Sequence, residues 1–377
     1  MSSGAARLCR GHGPGLEWAL AEEGSLKHLH LTLRPRPGED LEVLIHRLAA
    51  VLADHEAQVV RQEVFGSVPA WKRGIPLLQS TFGEVTWPIT WIEGRDCFGG
   101  ELAGVHIYAV AGTEVHRIGE PGRFTGTLIE HDGTRQLWVG ELRPENPDES
   151  RSIQAGRVYE TLERVLSQNG MALSDLVRTW FFLDRILEWY AEFNEVRNEV
   201  CIQRRLSQRV IPASTGVGAR NPSGTALMLA TWAMRSSDQA LTRETVGSPL
   251  QCPAPGYGSS FSRAVELRTA SWRHLLVSGT ASIDPVGRSA HPDDILGQIE
   301  LTMKVVEAIF QSRNLNVHDI TRATAYIKRR EDAPVFAKWW AQRGLGTLPV
   351  VTTQADICRA ELLFELEVDA IGPVLAR

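Results

Sequence analysis

Long apolar runs are missing: nowhere do eighteen apolar residues follow one another, about the length a helix needs to cross a bilayer. The opening residues MSSGAARLCRGHGPG also lack the apolar stretch of a secretory signal, so a cytoplasmic protein that does not engage membranes is expected. Cysteine is sparse. Cys9, Cys97, Cys201, Cys252 and Cys358 are odd in number, far apart and free of any CxxC pair, which argues against a disulfide framework or a zinc site. Neither sign of charge dominates, and a net charge of -5 over 377 residues gives nucleic acid no electrostatic footing. GxxxxGK[ST], GxGxxG after a strand, HExxH and GxSxG are all absent, which removes the usual support for nucleotide, dinucleotide, zinc-protease and α/β-hydrolase chemistry. No metal and no cofactor is expected. His28 and His30 in LKHLHLTL have ligand-like spacing but no third partner nearby, and read as surface residues.

What the sequence does have is repetition. HEAQVVRQEVFGS (55–67), ALSDLVRTWFFLD (172–184) and NVHDITRATAYIK (316–328) share an apolar–Arg–polar–x–apolar–aromatic order, centred on Arg61, Arg178 and Arg322. An amphipathic helix precedes each one. The apolar stripes are Leu41, Leu44, Leu48 and Val51, then Val158, Leu162 and Val165 with a Gly170 stop signal, then Ile295, Ile299, Met303, Val306 and Phe310. IPASTGVGARNPSGTALMLATWAM (211–234) aligns without gaps on LPVVTTQADICRAELLFELEVDAI (348–371). RQLWVGELRPENP (135–147) and RHLLVSGTASIDP (273–285) each run an apolar strand into a glycine, as expected where backbone must approach a ligand or turn sharply.

The last segment raises a chemical question. A strand over Glu361–Ile371 would place Leu362, Phe364, Leu366, Val368 and Ala370 on a core face. The opposite face would carry Glu361, Leu363, Glu365, Glu367 and Asp369, which on pattern alone is a solvated face. In the gapless alignment Glu365 falls opposite Met228 and Cys358 opposite Asn221, so the module itself demands neither group.

The order strand–Gly–helix–strand resembles the Rid family of reactive-intermediate deaminases, trimers with sites between subunits. LLVSGTASID, YAEFNEVRN, PASTGVGARNP and ADICRAELLFELE together look like the chorismatases, which fuse modules of that YjgF-like fold and split chorismate into pyruvate and either a cyclohexadiene diol or a hydroxybenzoate. The resemblance implies an α+β chain of tandem modules, each a mixed sheet backed by helices and arranged as a pseudo-trimer. The expected modules are 15–100, a degenerate copy, then 105–235 and 258–371, with the closed arrangement making the chain a monomer.

It also implies site residues. Cleaving the enol ether begins with protonation of its methylene, so a carboxylic acid must keep its proton near neutral pH, and Glu365 matches the acidic Glu of the family motif. Cys358, seven positions earlier, matches the residue that goes with hydroxybenzoate formation. Arg178, Arg197 and Arg359 lie in chorismatase-like segments, and Arg220 lies where simple Rid proteins carry a carboxylate-binding Arg; planar guanidinium suits a dianionic substrate. Backbone at Gly279, Thr280 and Ala281 would wall the ring, and Tyr190 would bond a ring hydroxyl. The small-molecule substrate is then chorismate, and the product 3-hydroxybenzoate with room for some 4-hydroxybenzoate. Three alternatives remain at this point: hydrolysis to the diol; a Rid-type imine deaminase, which would not need Glu365 or Cys358; and a non-catalytic metabolite-binding module, which would need neither.

Overall fold

A computed structural model describes residues 6–206, 210–236 and 241–374. The apolar stripes form helices that begin where a side chain caps them. Asp40 accepts from Val43 N at the start of α1 (Leu41–Asp54), following β1 (Arg7–Gly13), β2 (Leu16–Glu23) and β3 (Leu26–Leu33). Next come β4 (Gln58–Gly66), α2 (Val68–Phe82), β5 (Ile89–Ile92), the short β6 (Arg95–Asp96) and β7 (Leu102–Ala111). The sequence continues with β8 (Val115–Glu120), β9 (Arg123–His131), β10 (Thr134–Leu142), α3 (Arg151–Gln168), β11 (Leu176–Leu183), α4 (Ile186–Gln203), β12 (Ala213–Gly218) and β13 (Leu227–Ser236). It ends with β14 (Thr242–Val246), β15 (Ala264–Arg268), β16 (Trp272–Ala281), α5 (Ile295–Gln311), β17 (Ile320–Ile327), α6 (Ala333–Gln342), β18 (Val350–Gln354) and β19 (Phe364–Pro373). Gly170, at φ +67°, ends α3 in the left-handed conformation its lack of a Cβ permits.

These elements build three mixed sheets with the same inner order: β3-β7-β4-β5, β10-β13-β11-β12 and β16-β19-β17-β18. In each, a helix joins the first strand to the third, and a second helix makes the crossover between two parallel strands. The first sheet runs through Ala111, so β7 lies before residue 112 rather than at the start of the second module, and β6 pairs with β18 of the third sheet. The weakly patterned N-terminus is a hairpin, β1 on β2, turned at Gly15.

The inner faces of the three sheets meet. Val60 and Phe65, Val177 and Trp180, and Val265, Leu276 and Tyr326 share one apolar cluster drawn from all three. At its heart the repeated arginines converge on one indole: the guanidinium carbons of Arg61, Arg178 and Arg322 lie 3.5, 4.9 and 5.3 Å from the Trp180 ring centre. Glu63, Glu367 and Asp369 neutralise them. The acidic face of β19 is therefore not solvated at Glu367, which is 0 % exposed, and Asp369 is largely covered; both face the junction of the sheets. Only Glu361 stays exposed, because β19 begins at Phe364 and not at Glu361. Gln298 Oε1 takes the Leu363 amide at 2.7 Å, and a turn bonding Leu362 N to Arg359 O precedes it. His28 and His30 are likewise not surface residues: His28 Nδ1 lies 2.6 Å from the Tyr108 hydroxyl, and burial pushes its pKa down to about 3. Among the described residues no group of three His, Cys, Asp or Glu could hold a metal ion.

Candidate active site

A cleft of about 820 Å³ opens between the second and third sheets. Its floor is made by a β-bulge. The register of β16 against β19 shifts between Val277 and Thr280, putting Gly279 out of the ladder, and the Glu365 carboxyl lies over the space a side chain would take. A Cβ at Gly279 would overlap Glu365 Oε1. The glycine of RQLWVGELRP plays the same geometric part in β10, whose register against β13 shifts between Val139 and Leu142.

Glu365 lines the cleft yet is only 4 % exposed. Burial first, and the Glu367 carboxylate second, push its pKa up to about 8 against the opposing pull of Arg178 and Arg263. It therefore carries its proton at neutral pH. Cys358 faces the same cleft from the loop between β18 and β19, and burial together with Glu365 pushes its thiol up to about 12. That loop is pinned across the cleft, with Gly218 N donating to Asp356 O at 2.7 Å and Asp356 N returning to Gly218 O at 3.1 Å.

One face of α4 forms the opposite wall. Tyr190, Asn194 and Arg197 recur at helical spacing, Asn194 Nδ2 donating to Tyr190 O at 2.9 Å and Arg197 bonding Asn194 Oδ1. Arg197 is 4 % exposed between the rings of Phe193 and Phe261. Arg359 also lines the cleft, its Nη1 held by Gly287 O at 2.9 Å. Gly279 and Ala281 form the expected wall, whereas Thr280 turns away and donates to Ser278 O at 2.8 Å.

Two expected ligands lie elsewhere. Arg178 is 0 % exposed behind the floor, where its Nη2 bonds Thr215 Oγ1 and Glu367 Oε2, each at 3.0 Å. Arg178 is thus not placed to bind the substrate carboxylate expected from the sequence, because it is buried and Glu367 neutralises its charge. Arg220 is mostly exposed and pairs with Glu93 at 2.7 Å, away from the cleft. A cation the sequence did not single out is present instead. Arg263, 4 % exposed beside the first residue of β15, lines the cleft and donates from Nε and Nη2 to Cys252 O at 3.1 and 3.0 Å. It belongs to no repeat, so no pattern announced it. The floor thus offers a buried protonated carboxyl, and three arginines flank it: a site for adding a proton to a bound organic anion.

Comparison with known proteins finds similarity both of sequence and of fold. Residues 114–230 match the family model described as chorismatase FkbO/Hyg5-like, N-terminal. A 3-hydroxybenzoate synthase of Streptomyces hygroscopicus is 28% identical over 277 residues, 66% of this chain and 77% of that protein. A chorismatase of the same organism is 27% identical over 216 residues, with the match spanning 60% of its length and 51% of this chain. A chorismatase crystal structure superposes with a TM-score of 0.63 at 20% identity, covering 83% of this chain and 92% of the other. In sequence and in fold alike, the chain is similar to chorismatases.

Proposed function

We propose that the chain is a chorismatase that converts chorismate to pyruvate and 3-hydroxybenzoate, with room for some 4-hydroxybenzoate. The observation that carries the reading is Glu365: a carboxyl titrating at about 8 on the floor of a cleft flanked by Arg197, Arg263 and Arg359. The names of the relatives point to the same chemistry.

Glu365 donates its proton to the terminal methylene of the enol ether and becomes a carboxylate beside the oxocarbenium ion that forms, so one group serves as acid and as electrostatic stabiliser. The arginines hold the two substrate carboxylates, and Tyr190, on the face of α4 that lines the cleft, bonds a ring hydroxyl. In the hydroxybenzoate course the substrate's own ring hydroxyl displaces the enolpyruvyl group. The ring then aromatises, and the proton it sheds returns to Glu365. Substrate and products balance without water. Cys358 suits that course as a wall rather than a nucleophile: a thiol titrating near 12 stays protonated and behaves as a small apolar group that keeps water out.

Incubation with chorismate under lactate dehydrogenase coupling tests the reaction, with imine hydrolysis as the parallel assay. Pyruvate release supports the reading; imine turnover without pyruvate rejects it. With three helix-backed sheets packed on one another inside one chain, we further propose a monomer in solution, its expected modules 15–100, 105–235 and 258–371 widened to sheets that span 7–111, 115–236 and 242–373. Sedimentation at the mass of one 41.7 kDa chain is the expected result, and a stable trimer the contrary one.

A further inference from the structure

Glu367 lies two residues from Glu365 on the same face of β19 but does not reach the cleft. Arg178 Nη2 at 3.0 Å, Arg322 Nη2 at 2.6 Å and the Tyr326 hydroxyl at 3.1 Å occupy its oxygens. The fold does not ask for an acid there. Arg322, Arg178 and Arg61 sit opposite Asp369, Trp232 and Tyr108 in the three sheets. Two residues back along those strands stand Glu367, Ala230 and His106; four residues back stand Glu365, Met228 and Gly104. Neither acid has an acidic counterpart in the other two sheets. They occur together, in the one module whose strand supplies the cleft floor.

We propose that Glu367 is a positioning residue for the reaction, a fixed negative charge behind the floor that keeps the proton on Glu365. The inference rests on the reading of Glu365 as the acid. Burial opposes charge on Glu367, yet Arg322 and Arg178 hold its carboxyl well below the usual range, so it is ionised wherever Glu365 must not be. The groups facing Glu365 are Arg178 and Arg263, which favour its ionisation, and Cys358 and Tyr190, both neutral at pH 7. Facing Glu367 are Arg178, Arg322 and Tyr326, with Glu63 and Asp369 beyond Arg322. Arg322 bonds Glu367 and does not line the cleft, so it stands behind Glu367 as seen from Glu365 and acts on one acid through the other. A contact path runs the same way: Thr215 Oγ1 accepts from Arg178 Nη2 and from Gly279 N, each at 3.0 Å, and Gly279 is the residue over which the Glu365 carboxyl lies.

Glu367→Gln, Glu367→Asp and Arg322→Gln distinguish this role from mere packing. Two readouts are compared: the alkaline limb of the pH profile for pyruvate release, and the infrared C=O band of the protonated carboxyl, assigned by its loss in Glu365→Gln. Residues two apart on a strand face are about 7 Å apart, and like charges at that range in a partly shielded interior shift a titration by roughly one to two pH units. Glu367→Gln is therefore expected to move both readouts down by about that much, losing activity at pH 8 and recovering it below pH 6. Glu367→Asp keeps the charge and stays near the wild type, and Arg322→Gln moves both readouts up. A folded Glu367→Gln with an unmoved titration overturns the proposal; if that variant does not fold, an unmoved or downward shift in Arg322→Gln does so. Should the wild type release no pyruvate, the reading of the reaction fails, while the infrared titration still decides whether Glu367 governs Glu365.

Discussion

Replacing Glu365 by Gln removes one proton and almost nothing else, because the amide keeps the shape of the acid. At pH 7 a carboxyl titrating at about 8 is about nine-tenths protonated, whereas one at its ordinary 4.5 would be protonated about once in three hundred molecules. Burial and the Glu367 charge thus raise the population of competent acid by a factor of about 300, worth about 3 kcal/mol. Gln has no proton to give, so the full contribution of general acid catalysis, about two to four orders of magnitude, should vanish from pyruvate release. Substrate binding should persist. In the wild type the rate should fall as pH rises through about 8, since the acid form is lost there, and no such limb should remain in the variant. Stability should move the other way. A carboxyl with a raised folded pKa makes the native state bind more protons than the unfolded chain between about 4.5 and 8, so the wild type loses stability across that window as pH rises. Glu365→Gln should therefore melt higher than the wild type at pH 8 while turning over far more slowly. Retention of more than about a tenth of wild-type turnover, or a lower melting temperature at that pH, would refute the reasoning.

Gly279→Ala places a Cβ where the Glu365 carboxyl lies; the flexible carboxyl gives way, so turnover should fall about a hundredfold with little loss of stability, and a fully active variant would remove the bulge from the account. Arg178→Met leaves the buried Glu367 without one of its two arginines, so chemical denaturation should show about 3–5 kcal/mol of lost stability; unchanged stability with a raised Michaelis constant would return Arg178 to the substrate. Cys358→Ala should keep pyruvate release within about tenfold, roughly 1.4 kcal/mol, while shifting the product mixture towards the diol by admitting water; an unaltered mixture would take Cys358 out of the mechanism.

Much of the frame was legible because it is local. Apolar stripes at helical spacing gave α1, α3 and α5, and the strand–glycine segments became the bulged strands β10 and β16. The arginine repeat was legible as a repeat but not as a place: Arg61, Arg178 and Arg322 meet at Trp180 only through packing between sheets. Period two likewise divides β19 into faces without saying what covers each one, which is why Glu367 and Asp369 read as solvated and are in fact the counter-charges of that junction. His28 and His30 misled for the same reason, since the covering residue Tyr108 is some eighty positions away. Arg263 carried no signal at all, as a lone cation before a short strand looks like any surface residue.

On the proposed reading, one buried acid in this cleft splits chorismate without consuming water. Chromatographic mass balance of the wild-type protein with chorismate tests it most directly. Pyruvate and hydroxybenzoate in equal amounts, the 3-isomer predominating, are the expected products; pyruvate accompanied by the diol alone, or no pyruvate, would contradict that reading.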